Sequence, residues 1–139
     1  MKINEIIFSG YTPYPKLDND NRLPHIVEKL SKRIDKTALG AQSNLNLSYV
    51  ENIDNKILEL KQNSYQIISL EQSDQSVDIS EFDPSDKIVL IIGNELDGVS
   101  AELLDISDKI IEIPMLGKKE SYNVASATAI ALYHLRFGK

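Results

Sequence analysis

Short aliphatic runs alternate with amphipathic stretches along this chain, and the alternation predicts strands interleaved with helices. Runs of β-branched and aliphatic residues predict buried strands at Ile3–Ser9, Tyr65–Leu70, Lys87–Ile92 and Lys109–Ile113. Leu45–Val50 fits either a weak strand or a loop. Strands separated by helices pair in parallel, so the pattern predicts an α/β fold with a parallel sheet and helices on both faces.

Apolar residues at helical spacing predict four helices between these strands. They are a helix from His25 to about Arg33 with Pro24 as its first residue, Ile53–Asn63, a short helix near Ala101–Leu104, and about Tyr122–Arg136. The stretches Thr37–Ala41 and Glu71–Phe82 are predicted to be loops. No internal repeat or linker is visible, so a single domain spanning residues 1–139 is expected.

Composition excludes several classes of site. There is no Cys, and the two histidines cannot by themselves make a common zinc site, so no metal centre is predicted. The G-x-G-x-x-G and G-x-x-x-x-G-K-[ST] signatures of dinucleotide and P-loop sites are missing. No apolar run is long enough to cross a bilayer and no signal peptide pattern begins the chain, so we expect a cytoplasmic protein without a membrane partner.

The formal net charge of −6 argues against non-specific binding to nucleic acid, which favours strongly basic surfaces. Lys29, Lys32, Arg33 and Lys36 nevertheless cluster within two predicted helical turns. The cluster is either a solvated helix face or a local basic patch on an acidic body, and the sequence leaves both interpretations open.

Candidate chemistry lies where the predicted strands end, because ligands of open α/β sheets bind at the carboxyl ends of strands. Gly93-Asn94-Glu95 follows one strand directly, and the apolar loop Ile113–Gly117 follows another. That loop either wraps a ligand ring or closes the core. Ser121 or Asn123 either caps the final helix or faces a ligand.

Three blocks then match a known family in order and spacing. The blocks are Gly93-Asn94-Glu95-Leu96-Asp97-Gly98-Val99-Ser100, Ile113-Pro114-Met115 and Glu120-Ser121-Tyr122-Asn123-Val124. Together they resemble motifs two and three of the SpoU (TrmH-like) branch of the SPOUT RNA methyltransferases. A looser similarity extends upstream through Gly10–Pro13, Lys36–Ala41 and Ile67–Gln72.

The resemblance implies an α/β fold with a deep C-terminal trefoil knot, a rare exception to un-knotted connectivity. It also implies a homodimer that binds S-adenosylmethionine and methylates a ribose 2′-hydroxyl of tRNA or rRNA. By position, the residues lining the cofactor pocket would be Leu70, Gly93, Ile113, Met115, Ser121 and Tyr122. Glu95, Ser121 and Asn123 match the family's functional positions and are the predicted catalytic residues.

The chain also departs from the family pattern. Such proteins normally carry, before the strand that matches Ile3–Ser9, a motif one with an Asn followed by the Arg assigned to catalysis. No such block precedes Ile3, so residues 1–139 are expected to be a SpoU-type domain that is N-terminally truncated relative to the family. Arg22 lies in a different sequence context, and Tyr122 replaces the commoner Leu. The alternative function is a non-catalytic RNA-binding or dimerisation module that keeps the knot; a generic α/β nucleotide binder is a third.

Overall fold

The computed structural model describes residues 3–117 and 121–138, and the chain divides into two compact units, residues 2–56 and 57–139. The first unit contains β1 (Glu5–Ser9), α1 (Pro24–Ala38) and β2 (Asn46–Val50); α2 (Ile53–Gln62) begins in it and continues into the second. The second unit continues with β3 (Gln66–Leu70), β4 (Val77–Asp78), β5 (Ile88–Ile92), α3 (Ala101–Ile106), β6 (Lys109–Glu112) and α4 (Val124–Phe137).

In the unit of residues 2–56, β1 and β2 pair in parallel from Glu5 opposite Asn46 to Ser9 opposite Val50. The open interpretation of Leu45–Val50 therefore resolves as a strand. Aromatic rings support this unit: Tyr14 stacks on Tyr49 with ring centroids 4.6 Å apart. Phe8 stacks on the same Tyr14 ring at 6.0 Å.

The first helix is longer than predicted. It runs to Ala38 instead of ending near Arg33, because half-buried Ile34 and Ala38 continue its apolar side. It stops at Leu39, which adopts the left-handed conformation at φ +50° and donates its N–H to the Asp35 carbonyl at 3.0 Å. The prediction of a loop at Thr37–Ala41 is therefore wrong for Thr37 and Ala38, which belong to the helix. A 3₁₀ turn follows at Ala41–Asn44.

In the unit of residues 57–139, four parallel strands lie in the order β4-β6-β3-β5. The parallel pairing predicted from the sequence is confirmed. The central strand β3 is the most deeply buried, with Ile67, Ile68 and Ser69 inaccessible to solvent. The hydroxyl of Ser69 lies 2.7 Å from the hydroxyl of Ser107, so this buried polar group is satisfied.

The prediction that Glu71–Phe82 is only a loop is wrong. Val77–Asp78 forms a short strand beside β6, and Ile79–Glu81 forms a 3₁₀ turn. Ile79 and Phe82 join Ile68, Ile111 and Ala131 in the hydrophobic core. Two apolar side chains three residues apart among polar neighbours are too sparse to show helical or strand periodicity, which explains why the sequence pattern missed them.

The final helix, α4, has two unlike sides. Ala131 is fully buried in the core, and Leu135 on the same side packs against it. The opposite side exposes large apolar groups: Ile130 is 41% exposed, Tyr133 65% and Phe137 57%. The helix therefore covers the core with one side and exposes the other, where the rings of Tyr133 and Phe137 lie with centroids 5.3 Å apart.

The strand β5 forms one edge of its sheet. Its sequence, Ile-Val-Leu-Ile-Ile, is wholly aliphatic, and among the described residues only β3 pairs with it. No helix in the described residues is long and apolar enough to cross a membrane.

Candidate functional site

Three strands end side by side along one side of the four-stranded sheet. This side is here called the strand-end edge, to distinguish it from the outer strand β5. Because β3, β5 and β6 are parallel neighbours, their carboxyl ends lie side by side, with Leu70 opposite Ile92 on one flank and opposite Ile111 on the other. Leu70, Gly93 and Ile113, which we predicted to line a cofactor pocket, are thereby brought to the same edge. Their binding role stays a prediction.

The loop after β5 closes into a tight turn. Asn94 and Gly98 exchange backbone hydrogen bonds at 3.2 and 3.1 Å. The side-chain oxygen of Asn94 also accepts hydrogen bonds from the N–H groups of Leu96 and Asp97, both at 2.8 Å. The turn is therefore built by Asn94, and the predicted catalytic Glu95 lies exposed near its tip.

Glu71 connects the strand ends to this turn. Its N–H donates to the carbonyl of Ile111 at 3.0 Å, just past the end of β3. Its carboxylate accepts the N–H of Val99 at 2.8 Å through Oε2 and the N–H of Gln72 at 3.0 Å through Oε1. One side chain thus fixes the segment after β5 against the segment after β3.

The sequence did not identify Glu71 as a site residue, although it falls in the loosely similar upstream segment. A carboxylate directly after a strand is ambiguous by itself. No signal in the sequence pairs it with Gly98 and Val99, because their contact depends on the path of two loops. Gly98 has φ +67°, and a Cβ there would lie 2.2 Å from Glu71 Oε2. The carboxylate and the glycine therefore depend on each other.

Gly93 is required by packing within the same turn. A Cβ on Gly93 would lie 2.1 Å from the carbonyl carbon of Gly98 and 2.4 Å from the N of Val99. Both contacts are with backbone atoms, which cannot rotate aside. The turn after β5 therefore folds back on its own first residue, and only glycine fits there.

The start of α4 contributes the remaining predicted residues. The side-chain oxygen of Asn123 accepts the Ala125 N–H at 3.0 Å, so Asn123 is the N-cap of the helix. Ser121 and Tyr122 precede it and are exposed. Met115 is half-buried. Residues 118–120, which include Glu120 of the third block, lie outside the described residues.

Arg22, the arginine closest to an Asn-rich segment, serves as a structural clamp in the unit of residues 2–56. Its guanidinium forms an ion pair with Asp20 at 2.6 Å and donates to the carbonyls of Tyr14 and Pro15 at 3.1 and 3.0 Å. The same guanidinium stacks 3.5 Å from the centre of the Tyr14 ring. The hydrogen bond from Arg22 holds the pKa of the Asp20 carboxyl well below its usual range.

An open cavity of about 580 Å³ adjoins this clamp and is lined by Tyr14, Arg22, Ser48 and Tyr49, among others. A second cavity of about 430 Å³ in the same unit is lined by Lys16, Ser31, Asp35 and Gln42, among others. None of the predicted site residues lines either cavity. The strand ends and these cavities therefore share no lining residue.

Comparisons with known proteins agree with the blocks quoted from the sequence. The model of the SpoU rRNA methylase family matches residues 22–133. The tRNA (guanosine(18)-2′-O)-methyltransferase of Aquifex aeolicus is 46% identical over 88 residues, which are 61% of this chain and 42% of that protein. The chain spans about half the length of the curated relatives it matches.

Solved structures show the same fold. The crystal structure of the TrmH/SpoU tRNA-modifying enzyme of A. aeolicus aligns with a TM-score of 0.68 at 31% identity, covering 96% of this chain and 60% of that one. An S-adenosylmethionine-bound rRNA methyltransferase from Sinorhizobium meliloti aligns with a TM-score of 0.72 at 23% identity, covering 96% and 45%. The latter similarity concerns the fold alone.

Proposed function

The chain belongs to the SpoU rRNA methylase family, and from that membership we propose that it takes part in S-adenosylmethionine-dependent methylation of a ribose 2′-hydroxyl in tRNA or rRNA. The observation that carries the proposal is the edge where β3, β5 and β6 end together, fixed by Glu71, Gly93 and Gly98. The A. aeolicus relative is named for this reaction on guanosine 18 of tRNA, which supports tRNA as the first substrate to test.

The residues present fit S-adenosylmethionine. Leu70 and Ile113 are half-buried at the strand ends, where they pack against the hydrophobic core. Tyr122, the residue before the cap of α4, is 42% exposed. Exposed carboxylates of Glu95 and Asp97 at the turn are suited to hydroxyl and ammonium groups. We propose that Leu70, Gly93, Ile113, Met115, Ser121 and Tyr122 hold the cofactor, whose sulfonium centre supplies the methyl group.

The protein's contribution to the reaction is placement. Positioning two reacting groups in line supplies a large part of the barrier reduction in such transfers. A rigid edge is needed for that, and the hydrogen bonds of Asn94 and Glu71 supply rigidity to the turn carrying Glu95. Glu95, Ser121 and Asn123 are proposed to orient the ribose, and a base must accept the proton of its hydroxyl.

A second candidate is a non-catalytic RNA-binding or dimerisation module. The observation that favours it is the full engagement of Arg22, whose guanidinium is committed to Asp20, two carbonyls and the Tyr14 ring. An arginine held this way is not presented to a ribose. Cofactor binding without methyl transfer would distinguish this module from an enzyme.

We further propose that residues 1–139 act as one SpoU-type domain with a C-terminal trefoil knot, in the cytoplasm with its RNA substrates. The family match supports a single domain, because it spans parts of both units. A homodimer is proposed on a separate ground. The exposed side of α4, with Ile130, Tyr133 and Phe137, is the kind of aromatic and aliphatic surface found at the centre of subunit interfaces.

Two measurements on the same sample test the proposed function. Calorimetric titration with S-adenosylmethionine measures cofactor binding, and mass spectrometry of digested tRNA and rRNA measures new 2′-O-methyl nucleosides. We expect saturable binding and a methylated ribose in one of the two RNA classes. Binding without product would support the second candidate, and absence of both would overturn the proposal.

A further inference from the structure

The excess negative charge of the chain is confined to one of its two units. Residues 57–139 contain 14 Asp and Glu against 7 Lys and Arg, whereas residues 2–56 contain 7 against 8. The net charge of −6 therefore conceals a unit that is slightly positive. The repulsion of nucleic acid expected from the whole-chain charge is therefore not expected of that unit.

Within this unit the cations gather on one side of α1. With 3.6 residues per turn, His25, Lys29, Lys32, Arg33 and Lys36 fall within an arc of about 100°. Buried Val27 and half-buried Leu30 and Ile34 lie on the opposite side. The side chains of this arc, here called the α1 cationic face, extend over about 16 Å of helix.

Most of these cations lack an acidic partner. Lys32 pairs with Glu28 at 2.6 Å, with both side chains mostly exposed. Lys29, Arg33 and Lys36 are exposed, and the described residues provide no ion pair for them. The nearby Asp35 accepts a hydrogen bond from the side chain of Gln42 instead. Three close positive charges thus remain that no carboxylate of the described residues neutralises.

Resting on the proposed function, we propose that the α1 cationic face docks the phosphate backbone of the RNA substrate through Lys29, Arg33 and Lys36. Lysine and arginine side chains that contact RNA phosphates displace the condensed counterions. The release of these counterions favours binding, and it requires no contact with the bases. No apolar side chain of α1 lies within the arc, and Ile26, which is 41% exposed, borders it. Protein interfaces usually centre on aromatic or aliphatic anchors, so the composition favours RNA over an acidic protein.

The test compares two double variants that remove the same charge. Lys29→Gln/Lys36→Gln alters the α1 cationic face, and Lys87→Gln/Lys109→Gln removes two exposed lysines from the acidic unit. Binding of bulk tRNA is measured by fluorescence anisotropy over a series of KCl concentrations. Each lost phosphate contact should reduce the slope of log K against log[KCl] by about 0.7–0.9, so the α1 variant should lose between about 1.4 and 1.8. The control should keep the wild-type slope, and Lys29→Arg/Lys36→Arg should restore it.

The outcomes separate this inference from the proposed function. If wild type binds tRNA and the α1 variant keeps its slope, the docking surface is wrong while the methyl-transfer proposal stands. If the slope falls as expected but no S-adenosylmethionine binds, the surface stands and the proposed function fails. If the variant changes only salt-dependent self-association in sedimentation, the face contacts protein and the inference is overturned. It is also overturned if wild type binds no tRNA at low salt.

Discussion

At the scale of single residues, Glu71 joins segments that are distant in the chain. Its carboxylate reaches Val99, 28 residues away, and its N–H reaches the carbonyl of Ile111. A charge-assisted hydrogen bond of this kind is stronger than one between neutral groups. The geometry of the candidate site therefore depends on a side chain that need not touch a ligand.

Gly93→Ala is expected to be the most damaging small substitution in the turn. Its methyl group would overlap the backbone of Gly98 and Val99, which forces the turn after β5 to open. We expect the free energy of unfolding to fall by about 3 kcal/mol. Urea denaturation measures this loss.

The matched control is Gly117→Ala. Among the described residues no atom lies within 4 Å of a Cβ at Gly117, so the change should stay within about 0.5 kcal/mol. Equal stability of the two variants would contradict the close approach at Gly93. S-adenosylmethionine affinity measured on both variants would then show whether the turn matters for binding as well.

Asp20 should make the free energy of unfolding depend on pH in the acidic range. The hydrogen bond from Arg22 lowers the pKa of Asp20 in the folded state below the value of about 3.9 expected when unfolded. The ion pair therefore stabilises the fold fully above about pH 4, and its contribution is lost as the pH falls further. Between about pH 6 and about pH 3, the Tm of wild type should fall more than that of Asp20→Asn.

Asp18→Asn is the control for that experiment, because Asp18 is an exposed carboxyl in the same loop. Its Tm should follow the wild-type pH profile. Parallel profiles for wild type and Asp20→Asn would show that the contact between Arg22 and Asp20 does not contribute in solution.

At the scale of elements, the sequence predicted well wherever apolar residues were dense. The strands β3, β5 and β6 lie within two residues of their predicted bounds. The strand β5 is a continuous aliphatic run, and β3 and β6 each contain a pair of adjacent isoleucines. The stretch Val77–Phe82 was missed because its buried residues, Ile79 and Phe82, become recognisable only once α4 packs over them. The cap of α4 was one of two candidates in the sequence, and the structure selects Asn123.

The candidate site was predictable to the extent that it depends on strand ends. Parallel pairing brings Leu70, Gly93 and Ile113 together as the alternation of elements implies. The hydrogen bond between Glu71 and Val99 was not predictable, because it depends on the exact path of two loops. The clamp of Arg22 has the same origin, since residues 14 to 22 must first fold back to bring Tyr14 beneath it.

We predict that the exposed side of α4 forms the interface of the proposed dimer. Tyr133→Glu places a charge at its centre, so the proposed dimer should dissociate, with sedimentation giving a mass near the 15.6 kDa of one chain. Leu58→Glu is the control, because Leu58 is a comparably exposed apolar residue, at 53%, on α2. A Tyr133→Glu protein with the mass of wild type would exclude this side of α4 as the interface.

At the scale of the whole molecule, the two units have sheets of different size and should differ in local stability. Two-stranded sheets are marginal, whereas β3 is paired on both sides and its residues Ile67, Ile68 and Ser69 are inaccessible to solvent. We therefore expect the amides of Ile67–Ser69 to exchange with deuterium at least tenfold more slowly than those of Ile6–Phe8. Exchange followed by mass spectrometry measures both segments at once, and equal protection would mean that the two units open together.

The position of β5 at the edge of its sheet affects how the protein behaves during storage and crystallisation. Among the described residues β5 pairs with β3 alone, and five consecutive aliphatic residues along a sheet edge form a template on which another extended chain can add. Such a margin promotes ordered aggregation when concentration rises or when the surrounding structure loosens on heating. A lysine introduced at Ile92, which is already 40% exposed, is expected to improve colloidal behaviour during storage and crystallisation.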